Sequence, residues 1–378
     1  MRGINREKPS FWLRVLAGLS IGIALLGCNA TEPIKIGFVA GTSGRVADLG
    51  TSGRDAAQLV VEQCNRNGGI SGRQIQLLFK DDQQNPDIAR QVVHELISDG
   101  VVAIIGPMTS DMALAVTPLL NDARVPAVSP TATTQQLSGH DDFFLRVCAT
   151  TREYATKSAR YHIHNGDMRR IVAVYDLNNS SFCENWLENF QTTFSGAGRE
   201  IIATVCFKAE AKRTFLDIAR ELLAPSPDGV VIVANSMDSA LLCQQIRKID
   251  SDIPITLADW GATERLLELG GKAVEGVTVV QTINRDSLVP RYQAFLKTYL
   301  ERYHREPGFP GVYTHDATQV LLAALRAQKK GQLLKETILS LRSFEGLQGK
   351  LNFDDFGDVK RSNASISIVR NQKFVVVE

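Results

Sequence analysis

Past residue 28 the 378-residue sequence has no apolar run approaching the roughly 20 residues that a membrane-spanning helix needs. It has almost no net charge either: 42 basic and 41 acidic side chains leave a formal +1. That balance removes any electrostatic reason to expect nucleic acid or an anionic surface as partner. Histidines number six, and the cysteine spacings match no zinc pattern. Gly-x-Ser-x-Gly elbows, P-loops and Gly-x-Gly-x-x-Gly turns after a strand are all missing, so no cofactor is expected and an enzyme is the least favoured class. The cysteines beyond residue 28 are Cys64, Cys148, Cys183, Cys206 and Cys243, an odd number. At least one must stay unpaired or pair outside the chain in an oxidising compartment. Cys183 with Cys206 is a candidate bridge; the alternative is buried free thiols behaving as small hydrophobes.

What is present begins with a leader. Arg2, Arg6, Lys8 and Arg14 make a cationic start, and residues 15–26 carry no charge. An uncharged run of about a dozen residues fits the h-region of a secretory signal. It ends in Leu25-Leu26-Gly27-Cys28, which resembles the lipobox of bacterial lipoproteins, where cleavage precedes a cysteine that then carries the lipid. Residues 1–28 therefore read as a lipoprotein signal peptide ending at a lipidated Cys28, with an ordinary secretory signal as the alternative. The membrane that would hold the lipid, inner or outer, stays open.

The remaining stretch of about 350 residues is too long for one compact core and predicts two lobes. Short β-rich runs at 34–40, 75–80, 101–105 and 126–128 alternate with helical patterns at 53–67, 88–98 and 111–121. The glycine-rich cluster at 67–72 reads as a turn needing positive φ. A second series follows, with helices at 154–164, 182–194, 214–223 and 239–249 and strands at 171–175, 201–205, 229–233 and 254–257. Strands alternating with helices of ten to fifteen residues predict parallel sheets covered on both faces, an α/β chain of two doubly wound lobes.

In such sheets ligands sit beyond the carboxyl ends of the strands, near helix N-termini. The loops at those points are 41–44, 106–110, 129–134, 176–181, 234–238 and 258–261. They are rich in hydroxyls and small residues and contain no lysine, arginine or histidine. Serine and threonine there are equally ordinary helix caps, so a site requires several of these loops to converge.

Asn67-Gly68-Gly69-Ile70-Ser71-Gly72, followed by Ile75, Leu77, Asp81-Asp82 and Pro86, resembles the type I periplasmic binding proteins of the leucine/isoleucine/valine-binding branch. Ser43-Gly44, Ile105-Gly106-Pro107, Val125-Pro126, Ser129-Pro130 and Glu275-Gly276-Val277 continue the likeness in order, over roughly residues 34–376. The resemblance implies two doubly wound parallel-sheet lobes joined by three crossover strands, near 146–151, 279–284 and 347–351. Lobe 1 would then comprise 34–148 and 283–347, and lobe 2 149–282 and 348–378. It also implies how an amino acid would be held. Ser110 or Thr109, with Ala132 and Thr133, matches the place of the carboxylate cradle; Ser43 falls at a matching loop. Asp259 matches the acidic residue that meets the ammonium, and as a residue alone it also reads as the N-cap of a helix at 263–269. Phe182 covers the ligand where tyrosine is usual. Leu49 replaces an aromatic, and Asn235 or Ser236 stands where the leucine binders carry tyrosine. The implied ligand is an amino acid or a related small amide or carboxylate, and the implied partner a permease of the ATP-driven (ABC) kind. A ligand sensor of the same fold, signalling to a separate receptor or regulator, is the alternative; the chain ends at Glu378 with no kinase or DNA-binding segment. A monomer is expected.

Two other constellations read as scaffolding. His162-x-His164 beside Asp167 reads as an exposed helix end, since residues two apart face different sides of a helix. Residues 353–358 read as a hairpin turn, and 285–295 and 313–328 as plain amphipathic helices.

Overall fold

The computed structural model describes residues 32–166, 168–208, 213–360 and 364–378. The leader and Cys28 lie outside these residues. The chain opens with β1 (Ile34–Ala40), α1 (Ala47–Arg66), β2 (Ile75–Asp81), α2 (Pro86–Ser98), β3 (Ala103–Ile105), α3 (Ser110–Ala123), β4 (Ala127–Ser129) and β5 (Phe144–Arg146). These five strands form one parallel sheet in the order β2-β1-β3-β4-β5. Next come α4 (Thr151–Asn165), β6 (Arg170–Asp176), α5 (Ser180–Ser195), β7 (Glu200–Phe207), α6 (Phe215–Leu223), β8 (Gly229–Val233), α7 (Ser236–Ile249), β9 (Ile255–Leu257), α8 (Glu264–Gly270) and β10 (Thr278–Gln281). The rest is α9 (Pro290–Tyr303), α10 (Gly308–Ala327), α11 (Leu334–Leu341), the hairpin β11 (Ser343–Gly346) and β12 (Gly349–Asn352), then β13 (Ser365–Arg370) and β14 (Lys373–Val376). The second sheet runs β14-β13-β10-β9-β8-β6-β7.

Burial explains which runs became strands. β8 is Gly-Val-Val-Ile-Val, wholly buried because helices cover both faces of a parallel sheet. β13 and β14 instead join antiparallel, a doubly wound sheet finished by an edge ribbon. The turn at 67–72 takes the expected backbone, with φ positive at Gly68, Gly69, Ser71 and Gly72. The first helix starts earlier than its apolar pattern, at Ala47, and so carries Leu49. Gly50 and Gly53 hide that start in the sequence, and both are needed for close packing. A Cβ at Gly50 would stand 2.1 Å from the carbonyl oxygen of Gly41, and one at Gly53 would stand 2.9 Å from the sulfur of Met108.

Two hydrophobic assemblies follow the two sheets. Ile36, Phe38 and Ile105 of the first sheet pack with Ile283, Tyr299, Tyr313 and Leu321 from the returning segment. The passage expected at 347–351 lies further on. Residues 349–352 pair with β11, and Leu351, Phe353 and Val359 still pack in the first core. The chain reaches the second sheet only at Ser365. Residues 146–151 begin with a strand, because Phe144–Arg146 extends the first sheet beside β4. The helix expected from residue 285 starts at Pro290, whose missing N–H and fixed φ suit the first helical position. The turn at 353–358 closes as expected: Asp354 Oδ1 accepts from the amides of Phe356 and Asp358.

Two other expectations change. Cys183 and Cys206 are not bridged: the Cys183 thiol is buried and donates to the Val233 carbonyl at 3.3 Å, while Cys206 is exposed. Cys64 and Cys243 are buried free thiols, and the buried Cys148 thiol donates to the Ala132 carbonyl at 3.6 Å. His162 is buried rather than exposed, its ring 3.4 Å from Thr278 Oγ1; Asp167 lies outside the described residues. Among the described residues no three metal-ligating side chains cluster, and no helix is long and apolar enough to cross a membrane.

Arg146 fixes the loop that follows β4. Its side chain is fully buried and donates to Asp358 Oδ1 at 2.7 Å, to the carbonyls of Ala132 and Thr134 at 3.3 and 2.8 Å, and to Ser138. One guanidinium thereby ties residues 132–138 to the 353–359 turn.

Candidate functional site

The loops at the carboxyl ends of both sheets meet around a small cavity of about 20 Å³. The first lobe contributes Leu49, Met108, Thr109, Ser110, Thr131 and Phe309. The second lobe contributes Asn179, Phe182, Asp259 and Trp260. A larger, more open hollow of about 240 Å³ includes Asp48, the neighbour of Leu49. Its wall mixes Arg45, Arg265 and Arg305 with Glu264, Glu268 and Glu306, and it reads as the solvent-facing mouth between the lobes. The smaller cavity is lined half by apolar side chains and half by polar ones, so several polar groups converge on it as they do in small-molecule sites.

Five of the residues singled out in the sequence meet there: Leu49, Thr109, Ser110, Phe182 and Asp259. Thr109 is the N-cap residue of α3, yet its side chain makes no capping hydrogen bond. Ser110 Oγ accepts from the Thr134 amide at 3.3 Å, so the two loops brace each other. The other five stand elsewhere. The Ala132 amide donates to Ser129 Oγ at 3.1 Å, and Thr133 Oγ1 accepts from Thr151 Oγ1 at 3.1 Å. Thr131 is the residue of that loop that reaches the cavity wall. Asn235 caps α7 by accepting from the Asp238 amide at 2.9 Å. Ser236 donates to Asp48 Oδ2 at 2.7 Å, and Ser43 is exposed and bonded to Asp81.

Asp259 is not the cap of α8, which has Thr263 in that position. It opens a 3-10 turn, Asp259–Gly261, and its Oδ1 accepts from the indole N–H of Trp186 at 3.0 Å. Burial pushes its carboxyl up to about 7, partly opposed by its own backbone amide and by Trp186. Among the described residues no cationic side chain lines the cavity, so Asp259 faces it as an uncompensated acid. Phe182 and Trp260 stand edge to face beside it, centroids 5.6 Å apart.

Around the cavity the lobes hold each other by hydrogen bonds that sequence reasoning missed. Asp111, in the first turn of α3, accepts from the amides of Ser180 and Ser181 at 3.0 and 2.9 Å, and from the Ser181 hydroxyl. Asn179, just before α5, accepts in return from the Asp111 amide at 3.1 Å. Each helix N-terminus thus has free N–H groups capped by a side chain of the other lobe. At the mouth, Asp48 Oδ2 accepts from Ser236 and from Thr263, at 2.7 and 2.6 Å. Arg45 pairs there with the buried Asp238. Burial raises the carboxyl of Asp238, and that of nearby Asp176 to about 7, so the Arg45 charge offsets an acidic patch on the second lobe. The sequence had singled out Ser236, and Asp111 stands beside the expected Ser110, but the pairings themselves were hidden, since the partners of Asp111 lie about 70 residues away.

The family described as "Periplasmic binding protein" matches residues 33–370. The chain is 23% identical to the Leu/Ile/Val-binding protein of Escherichia coli (strain K12) over 349 residues, 92% of this chain and 93% of that one. It superposes on the branched-chain amino acid transporter substrate binding protein LivJ of Streptococcus pneumoniae, solved in complex with isoleucine. There the TM-score is 0.83 at 24% identity, covering 91% of this chain and 99% of that one. It also superposes on an ABC transporter solute binding protein from R. palustris in complex with benzoate, with a TM-score of 0.82 at 20% identity, covering 91% and 95%.

Proposed function

Because this chain belongs to the periplasmic binding protein family, we propose that it captures an amino acid or a related small carboxylate between its lobes and delivers it to an ABC permease. The observation that carries this reading is the cavity's polarity. Hydroxyls of Thr109 and Ser110 at the N-terminus of α3, with that of Thr131 from the loop after β4, stand on one wall, and a carboxylate, Asp259, stands on the other. A helix N-terminus with hydroxyls suits a ligand carboxylate without any cationic side chain. Asp259 suits an ammonium, and Leu49, Met108 and Phe309 leave an apolar wall for the side chain.

The lobes in this proposal are 34–148 with 283–359, and 149–282 with 365–378. Ligand held by one lobe gains contacts from the other and so favours the state in which the Asp111 and Asp48 bonds form. A lipid on Cys28 would tether the protein outside the cytoplasm. Asp111→Ala should weaken ligand binding about 10- to 100-fold, because it removes charge-assisted bonds made only when the lobes meet. Isothermal titration of the variant against the parent protein measures this.

A second reading takes a carboxylate without an ammonium. It is favoured by the elevated Asp259 carboxyl, which near neutrality can stay protonated and donate to a neutral oxygen, and by the benzoate bound in the R. palustris relative. Titrating the mature protein with an amino-acid panel and with simple aromatic acids, in buffers of different ionisation enthalpy near pH 7, separates the two. An ammonium ligand should drive a proton off Asp259 into the buffer, and an uncharged group should not. Absence of heat from every α-amino acid would sink the first reading.

A further inference from the structure

Among the described residues lining the cavity, Asp259 alone is ionisable, and outside the cavity its carboxyl is met by its own backbone amide and, as the side-chain partner, by the indole of Trp186. Trp186 is fully buried on α5, its ring stacked on Phe190 with centroids 5.3 Å apart. The indole is a donor with no acceptor capacity, so this contact is made with a carboxylate oxygen in one direction only. Both residues belong to the second lobe, so the bond does not depend on how far apart the lobes stand. A carboxylate offers two oxygens, and a planar guanidinium or amidinium is recognised best when it can pair with both at once. An ammonium has three rotatable donors and is satisfied by one oxygen.

We propose that Trp186 is a positioning and specificity-determining residue of this site: by holding Oδ1 of Asp259 it leaves one carboxylate oxygen for the ligand, which admits an ammonium and disfavours paired N–H donors. The inference rests on the reading of Asp259 as the ammonium partner. Trp186 touches no ligand in this scheme and acts only through Asp259.

The test compares the full-length mature protein with Trp186→Phe, which keeps an aromatic ring beside Phe190 and removes the donor. The first measurement needs no ligand. Carbon-13 NMR follows the Asp259 carboxyl, assigned by its loss in Asp259→Asn, through a pH titration. Its midpoint should rise by about one pH unit in Trp186→Phe, because a donor that favours the charged form is gone. The second measurement titrates α-amino acids against their α-guanidino counterparts, in which a guanidinium replaces the ammonium. The preference for the amino acid should shrink about tenfold in Trp186→Phe, whereas a merely structural loss would weaken both ligands alike. An unmoved midpoint, or an unchanged preference, overturns the inference. A parent protein that binds no α-amino acid at all refutes the ammonium reading instead, and the ligand-free titration still decides whether Trp186 holds Asp259. Should Trp186→Phe fail to fold, the parent indole N–H resonance replaces it. That resonance should titrate with the Asp259 midpoint and stop titrating in Asp259→Asn; a resonance indifferent to pH overturns the proposal.

Discussion

Asp259→Asn is expected to cost about 2–5 kcal/mol of amino-acid binding, roughly 30-fold or more in Kd at pH 8. The substitution keeps the shape and an oxygen for the Trp186 N–H, so what it removes is the charge. Its pH signature separates this from a packing defect. The ligand ammonium favours the ionised carboxylate, so affinity of the parent protein should climb as pH rises through about 7. In Asp259→Asn that climb should flatten. Stability of the ligand-free protein runs the opposite way. A carboxyl whose folded value lies above its unfolded one contributes stability that is full below about pH 4 and lost as pH rises through about 7. The asparagine variant should therefore melt higher than its parent at pH 8 and no higher at pH 4. Calorimetry at the two pH values checks the sign; equal shifts at both would contradict the burial argument.

Arg146→Met should be the most damaging single change to the fold, at about 3–5 kcal/mol. It leaves Asp358 without its guanidinium and strips the donor from two buried carbonyls, those of Ala132 and Thr134. A buried acceptor without a partner costs its full desolvation, which is why the loss exceeds that of an average hydrogen bond. Thermal melting of the single variant should show a drop of several degrees. Adding Asp358→Leu removes one stranded charge and should recover part of it. If the double variant melts no higher than the single, the ion pair is not what Arg146 supplies. Ligand binding should weaken in both variants, since residues 131–134 lose their anchor.

These two residues also mark what the sequence could and could not disclose. Runs such as Gly229–Val233 announce themselves, because a strand covered on both faces must be apolar throughout. The 67–72 turn is equally legible, since its backbone demands glycine. The start of α1 was not, because Gly50 and Gly53 interrupt the apolar pattern for reasons of contact with Gly41 and Met108. The passage to the second sheet was misplaced because 349–352 is a strand either way, and only its pairing with β11 shows which core it serves. At the cavity, strand-end logic located the loops, and the family resemblance picked Thr109, Ser110 and Asp259 within them. Both passed over Met108 and Trp260 in the same loops, and Phe309 from the returning helix, since apolar residues there look like any core residue. Arg146 and Asp111 were invisible as a matter of distance. Their partners, Asp358 and Ser181, lie 212 and 70 residues along the chain, and nothing in a local pattern records such a pairing.

The crossed caps between α3 and α5 have a bearing on how this site could change over time. On the proposed reading a ligand's side chain meets Leu49, Met108 and Phe309, and neither Asp111 nor Asn179. The fastening and the choice of guest are thus written in different letters of the sequence. A lineage could exchange leucine for an aromatic at residue 49, or reshape residue 309, and inherit its clasp unaltered. Drift in what is carried would then cost nothing in the motion that carries it.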